Sequence, residues 1–195
     1  MSSPKILVFS GSLRADSFNQ KLAAIAAAKA GEQGAEVTLI SLRDFRLPIF
    51  DEDFEAEQGM PENGKRLKAL FADHQGLIIA SPEYNSTITA ALKNSIDWVS
   101  RSTAPGEQPL SVLKGKSAAI LSASPGGYGG ARSLAQLRPF FENIGITVMA
   151  DQVSIGKAHE AFGSDGHLID PAQDAAVGAL AASLVASFSW IPNRL

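Results

Sequence analysis

Residues 5–19 of this 195-residue chain read KILVFSGSLRADSFN and contain the clearest indication of its fold. The first six of them, KILVFS, form a largely apolar run, which is typical of a strand buried on both faces of a parallel sheet. The polar loop GSLRADS follows, and then Leu22, Ile25 and Ala26 appear at helical spacing. A buried strand, a short polar loop and a helix together predict the first β/α unit of an α/β protein.

This pattern repeats along the chain. Further short apolar runs lie at residues 36–41, 76–81, 117–122 and 147–150, and segments with apolar residues at spacings of three and four separate them. Pro171 stands near the start of the last helical segment, where proline is favoured. Since neither a repeat nor a linker interrupts the pattern, we expect one domain over residues 1–195. Five β/α units predict a doubly wound, five-stranded parallel sheet with helices on both faces.

The composition excludes several classes of protein. The chain has no cysteine, which excludes a disulfide framework, a thiolate metal site and a cysteine nucleophile. His74, His159 and His167 are scattered without metal-ligand spacing. A net charge of −3 without a basic run argues against nucleic-acid binding. No apolar run approaches the ~20 residues of a membrane span or resembles a secretion signal, so we expect a cytoplasmic protein that does not contact a membrane.

One segment departs from the β/α pattern. Residues 51–62, DEDFEAEQGMPE, are an acidic insertion before the third predicted strand. We expect a solvated loop there, which shapes a rim or a subunit contact.

Ligands of open parallel sheets bind beyond the carboxyl ends of the strands, so the loops at these ends are candidate sites. The loop after the first strand carries hydroxyl, amide and guanidinium donors directly before a helix. They belong to Ser10, Ser12, Ser17, Asn19 and Arg14. A phosphate needs such donors, and a helix N-terminus adds free N–H groups. The alternative is a plain N-cap by Ser17 or Asp16. Only Gly11 is present where a dinucleotide fingerprint needs three glycines, which favours a phosphate monoester.

The loops after the third and fourth strands are also unusual. Residues 81–87, SPEYNST, place Pro82, Tyr84 and Asn85 where a flat heterocycle could bind, although an ordinary loop with Ser86, Thr87 or Thr89 capping the next helix is an equal alternative. Residues 124–130, SPGGYGG, contain four glycines in five positions. Glycines allow a ligand to approach the backbone closely, whereas a flexible turn would need fewer of them.

Together, the three loops resemble those of the NAD(P)H-dependent FMN reductase family, including its chromate and quinone reductase members. The resemblance covers most of the chain in order and spacing. Its motifs here are GSLRxxSxN at residues 11–19, PEYN at 82–85, ALKNxIDW at 91–98 and SPGGxGG at 124–130. Tyr128 and the acidic insertion lie outside the shared pattern.

The resemblance implies a flavodoxin-like sheet with strand order 2-1-3-4-5 and a bound FMN. Ser12, Arg14, Ser17 and Asn19 would then hold the phosphate. The flavin ring would lie against two further groups of residues, which are Pro82, Glu83, Tyr84 and Asn85 on one side and Ser124, Gly126 and Gly127 at the other edge. Homodimers or homotetramers would complete the site.

The implied activity is reduction of small molecules by NADH or NADPH. Hydride would pass to the flavin, and a quinone, free flavin, azo compound or chromate would then collect the electrons in a ping-pong sequence. Because the flavin carries the chemistry, we expect no catalytic acid or base among the side chains.

Two other functions remain open from the sequence. A flavodoxin-like electron carrier without turnover of its own has the same fold, although a net charge of −3 is modest for the acidic docking face of such a carrier. A hydrolase is disfavoured because there is no G-x-S-x-G motif. We expect His74 to be a surface helix residue and not a base.

Overall fold

The computed structural model describes residues 3–190 and contains one parallel sheet. Its strands are β1 (Lys5–Ser10), β2 (Glu36–Ser41), β3 (Gly76–Ala80), β4 (Ser117–Ala123), β5 (Thr147–Val148) and β6 (Val153–Ile155). The order is β2-β1-β3-β4-β5, with β6 pairing with β4 beyond β5. The doubly wound sheet and the predicted order 2-1-3-4-5 are therefore confirmed.

Seven α-helices are described between and after the strands. They are α1 (Phe18–Glu32), α2 (Glu52–Gln58), α3 (Glu62–Asp73), α4 (Ala90–Val99), α5 (Ala131–Asn143), α6 (Ala158–Ala161) and α7 (Pro171–Ser187). Pro171 is the first residue of α7, and the side chain of Asp170 caps that helix by accepting from Ala172 N at 2.9 Å. The predicted first-turn proline is therefore confirmed.

Alternating residues of β1 face two separate cores. Ile6 and Val8 pack with α1 and α7 on one face of the sheet. Leu7 and Phe9 pack with α3, α4 and α5 on the other. All four side chains are fully buried, as expected of a strand in the middle of a parallel sheet. Helices on both faces are thus a direct consequence of the apolar run at residues 5–10.

The fifth predicted strand differs from the structure. Residues 147–150 were expected to be one strand, but β5 ends at Val148 and pairs only with Ser117 and Ala118. The chain then leaves the sheet and returns as β6, which pairs with residues 121–123 of the same strand. Two short strands share one edge of β4, because β4 is longer than either of them.

The acidic insertion is also different from the prediction. It is mostly exposed as expected, although Met60 is buried, but residues 52–58 form helix α2 instead of a loop. The Asp51 carboxylate caps this helix by accepting from the backbone N of Asp53 at 2.8 Å and of Phe54 at 3.2 Å. Acidic residues in the first turn favour a helix N-terminus, so the composition that suggested a loop stabilises the helix.

His74 is buried, which corrects its predicted place on the surface. It is the C-cap residue of α3 and only 3% exposed. Its ring nitrogens lie 2.6 Å from Leu70 O and 2.7 Å from Thr38 Oγ1. Both nitrogens are engaged in the fold, so this histidine is a structural residue.

A partly buried ion pair holds the segment between α4 and β4. Lys68 Nζ of α3 lies 2.6 Å from Glu107 Oε1, and the ammonium is almost fully buried. Lys68, together with hydrogen bonds from Thr103 and Ser111, lowers the pKa of Glu107 to about 2. Glu107 therefore stays ionised and keeps this segment against α3.

In residues 3–190, no helix combines the length and apolar character needed to cross a membrane.

Candidate functional site

Three strand-end loops meet at the carboxyl edge of the sheet, because β1, β3 and β4 are neighbours in it. Gly11 N donates to Ala80 O at 2.9 Å, and Thr89 Oγ1 donates to Gly11 O at 2.6 Å. A Cβ on Gly11 would lie 3.1 Å from Leu92 Cβ and 3.3 Å from Pro82. The loop after β1 therefore runs close against the loop after β3, and a side chain larger than hydrogen at residue 11 would be tightly packed.

The loop after β1 presents donors that the fold does not use. Ser12 and Ser17 are each only 4% exposed, while Arg14 is exposed. Ser17 occupies the N-cap position of α1, yet its side chain makes no capping bond. Asp16 pairs with Lys21 at 2.8 Å instead of capping. The plain N-cap alternative is therefore wrong.

The first turn of α1 adds backbone donors to these hydroxyls. The N–H groups of Phe18 and Asn19 have no intrahelical partner, as at any helix start, and no other partner is found for them in residues 3–190. Partial positive charge at a helix N-terminus attracts anions. This end of α1 and the neighbouring hydroxyls of Ser12 and Ser17 make a site suited to a phosphate group.

The side chain of Asn19 has a structural role, unlike those of the other residues predicted to bind the phosphate. Its Nδ2 donates to Ala123 O at 2.7 Å, and its Oδ1 accepts from Ala123 N at 2.9 Å. The side-chain amide thus joins α1 to the end of β4 across 104 residues of sequence. The Asn19 side chain positions two of the loops, and its backbone N–H is the group left for a phosphate.

The loop after β3 is fastened to the start of α5. Glu83 Oε1 lies 2.6 Å from an Arg132 guanidinium nitrogen, and its Oε2 accepts from Ser133 N at 3.3 Å. Ser133 Oγ donates to Pro82 O at 3.0 Å. Pro82 is buried and the Glu83 side chain is 8% exposed, so both residues anchor this loop to its neighbour.

Tyr84 and Asn85 stand at the exposed tip of the same loop. Tyr84 and Thr87 exchange backbone hydrogen bonds at 3.0 and 3.1 Å, which closes a tight turn. Asn85 and Ser86 between them have φ of 51° and 66°, a conformation that non-glycine residues rarely adopt. Thr89, one of the capping alternatives, does cap α4 by accepting from Leu92 N at 3.1 Å. That cap does not involve Tyr84 or Asn85, whose side chains are exposed.

The glycines after β4 fall into two pairs. Gly129 and Gly130 are buried, and both have positive φ. A Cβ on Gly130 would lie 1.9 Å from Ser122 Oγ. Gly126 and Gly127 are exposed, and a Cβ on Gly127 would meet no atom within 4 Å. Packing requires glycine at residues 129 and 130, whereas Gly126 and Gly127 present open backbone at the sheet edge.

The largest of the described cavities lies away from these loops. It has a volume of about 460 Å³ and lies between α2, α3 and the segment after α4. Its lining includes Arg101 and Glu55, which pair at 2.7 Å. Arg101 and Glu55 neutralise each other there, so this pair is not left free for a ligand. Within residues 3–190, no group of three or more acidic or histidine side chains is placed to hold a metal ion.

Comparison with known proteins identifies the family of this chain. A model described as NADPH-dependent FMN reductase matches residues 4–160. The chain belongs to this family. Among its relatives, an NAD(P)H-dependent FMN reductase of Pseudomonas aeruginosa is 36% identical over 167 residues, 85% of this chain and 85% of that protein. A quinone reductase of Escherichia coli K12 is 32% identical over 167 residues, 86% of this chain and 81% of that one.

A solved structure of the same kind agrees with the fold. The flavoenzyme NAD(P)H:(acceptor) oxidoreductase of Paracoccus denitrificans superposes with a TM-score of 0.77 at 29% identity, over 94% of this chain and 96% of that chain. The family match includes all three strand-end loops, so the residues that carried the resemblance lie within it.

One part of the site in this family member was missed by sequence reasoning. Ser124 N donates to Ile155 O at 3.0 Å, and Lys157 N donates to Gly126 O at 3.3 Å. A Cβ on Gly156 would lie 2.6 Å from Gly127 O. Strand β6 and Gly156 thus pack against the backbone of residues 124–127, the glycine loop after β4. The sequence VSIG at residues 153–156 ends in a glycine after alternating apolar residues, which was the available signal.

Proposed function

We propose that this protein is an FMN-dependent reductase that takes hydride from NADH or NADPH and delivers electrons to small-molecule acceptors. FMN and quinones are named for its relatives, and free flavin, azo compounds or chromate would be further acceptors. The observation that carries the proposal is that one edge of the sheet has a separate place for each half of FMN. Unused donors after β1 suit a phosphate, and open backbone after β4 suits a flat ring.

The phosphate of FMN would bind at the start of α1. Ser12 and Ser17 hydroxyls, the Arg14 guanidinium and the N–H groups of Phe18 and Asn19 would hold it. A dianionic phosphate gains both from charge-assisted hydrogen bonds and from the helix N-terminus. The buried hydroxyls and the absence of a side-chain cap on α1 support this assignment.

The ring would lie between the other two loops. Pro82, Glu83, Tyr84 and Asn85 would border it on one side, with Glu83 acting through its ion pair to Arg132. Ser124, Gly126 and Gly127 would border the other edge. When bound, FMN supplies the chemistry, accepting a hydride and giving up electrons singly or in pairs.

In this reaction the protein would orient the bound flavin and stabilise the charge that develops on it. The Gly127 N–H makes no hydrogen bond within residues 3–190, so it is free to donate to negative charge that develops at the ring edge. The nicotinamide and the acceptor would use the same open face in turn, which gives ping-pong kinetics. The homodimer or homotetramer and the cytoplasmic location stay predictions.

Turnover tests the proposal against the electron-carrier alternative. Purified protein saturated with FMN is mixed with NADH or NADPH and an excess of 1,4-benzoquinone, and nucleotide oxidation is followed. We expect many turnovers per protein, at a rate proportional to protein concentration and above that of free FMN. A rate no greater than that of free FMN with both nucleotides would contradict an enzyme and favour a carrier.

A further inference from the structure

Tyr128 is an exposed aromatic side chain in the glycine loop, and neither the fold nor the proposed flavin contacts give it a role. It is 73% exposed, whereas tyrosine is typically of intermediate burial. The two tyrosines of the chain, Tyr84 and Tyr128, are both exposed and follow the adjacent strands β3 and β4. Aromatic rings are thus concentrated where the reaction is proposed to occur.

The ring of Tyr128 is held in place. The guanidinium carbon of Arg132 lies 5.3 Å from the ring centroid, within the range of a cation–π contact. Arg132 is itself fixed by Glu83, with Nε at 2.8 Å and a second nitrogen at 2.6 Å from the same carboxylate oxygen. Glu83 therefore connects the ring of Tyr128 to the loop after β3.

The backbone beside Tyr128 is equally constrained. A Cβ on the next residue, Gly129, would lie 2.8 Å from Gly156 N, so this part of the loop is packed against the chain after β6. On the other side, Gly126 and Gly127 are the open backbone proposed to border the flavin. A fixed aromatic ring next to that border is suited to bind a second flat molecule, because stacked rings pack with offset faces at little entropic cost.

We infer that Tyr128, oriented by Arg132, is the stacking platform for planar aromatic electron acceptors of the quinone class. This inference rests on the proposed function and adds a specificity-determining residue to it. The Arg132 charge is balanced by Glu83, so the platform selects for a flat ring and not for an anion. Acceptors without a ring gain nothing from it.

The test compares an aromatic with a non-aromatic acceptor in the FMN-loaded enzyme. KM is measured for 1,4-benzoquinone and for ferricyanide with wild type, Tyr128→Phe and Tyr128→Ala. We expect Tyr128→Ala to raise the KM for benzoquinone about tenfold relative to that for ferricyanide, the worth of one stacked ring. Tyr128→Phe keeps the ring and should keep the wild-type ratio. The flavin absorption spectrum of each variant checks that the cofactor site is intact.

Three outcomes would overturn the inference. The first is an unchanged KM for both acceptors in Tyr128→Ala. The second is an equal rise in both KM values, and a smaller assembly on gel filtration would then make Tyr128 a subunit contact. The third is Tyr128→Phe behaving like Tyr128→Ala, which would place the effect in the hydroxyl. Failure of the proposed function is distinguishable from all three, because wild type would then reduce neither acceptor.

Discussion

Arg14 is the charged side chain on which the phosphate assignment depends most. It is exposed, and in the part of the chain that the structure describes it forms no ion pair. Its backbone N–H already donates to Ser12 Oγ at 3.2 Å, so the main chain of the loop is held without the guanidinium. The side chain is therefore free for a ligand, and its removal should leave the loop intact.

Arg14→Ala should weaken FMN binding by roughly 1.5–3 kcal/mol, the usual value of a hydrogen bond to a charged group. Calorimetric titration of the apoprotein with FMN measures this change, and thermal unfolding of the apoprotein should not shift. Arg66→Ala is the matched control, because Arg66 is an exposed arginine on α3. Equal affinity in Arg14→Ala and Arg66→Ala would remove Arg14 from the phosphate site.

Lys116 gives a prediction about stability at the opposite end of the sheet. Its side chain is 8% exposed, and Nζ donates to the carbonyl oxygen of His74. Burial lowers the pKa of Lys116 to about 8. Between pH 8 and 10.5 the unfolded chain therefore binds more protons at this residue, and the stability that it contributes rises with pH.

Lys116→Met removes this proton linkage. We expect wild type to gain stability on the order of 1–3 kcal/mol relative to Lys116→Met between pH 8 and 10.5. Urea unfolding of both proteins across that range measures the difference. The loss of the bond to His74 O shifts the curves by an amount that does not depend on pH, so the slope is the informative quantity. Parallel curves would contradict the burial of an uncharged lysine.

The two glycine pairs after β4 lead to a prediction for this loop as an element. Gly130→Ala places a Cβ against Ser122 Oγ at a φ of +86°, so it should destabilise the protein by at least about 2 kcal/mol. Gly127→Ala meets open space and should leave the stability of the apoprotein unchanged. It should instead weaken FMN binding by about 1 kcal/mol, because a methyl group would stand where the ring approaches.

Urea unfolding and FMN titration of both variants separate these roles. The expected result is a stability defect in Gly130→Ala and a binding defect in Gly127→Ala. If Gly127→Ala binds FMN as well as wild type, the open pair of glycines does not border the ring.

Elements encoded by local patterns were predictable from the sequence. The apolar runs placed β1 to β4 within one residue at each end, because short aliphatic runs bounded by polar and turn residues are typical of strands, even at the sheet edge where β2 has no buried residue. The cap at Asp51 shows the limit, since its acidic surroundings favour either a loop or a helix. The end of β5 at Val148 depends on how β4 is shared between two strands, and the only local signal for β6 was the short run VSIG.

Site residues also divide into those that local sequence identifies and those whose roles depend on distant contacts. The donors of the loop after β1 were recognisable because they are adjacent in sequence. The ties between loops were not, because Asn19 bonds Ala123 at a separation of 104 residues and Glu83 bonds Arg132 at 49. Contacts at such separations depend on the complete fold, so sequence reasoning identified these residues without the partners that set their roles.

At the scale of the molecule, the topology explains where the site lies. Strand β1 connects through α1 to β2 on one side, whereas β3 connects through α4 to β4 on the other. Helix α1 packs on one face of the sheet and α4 on the opposite face. The two connections therefore diverge at the carboxyl ends of β1 and β3, which is where open α/β sheets bind their ligands.

We propose that this edge of the sheet binds FMN and brings it into reaction with a nicotinamide nucleotide. Anaerobic mixing of the FMN-loaded protein with NADH or NADPH tests this proposal directly, with the visible absorption band of the bound flavin as the readout. We expect rapid bleaching with at least one nucleotide, and return of the band when a quinone is added after the excess nucleotide is removed. A band that persists with both nucleotides would contradict it.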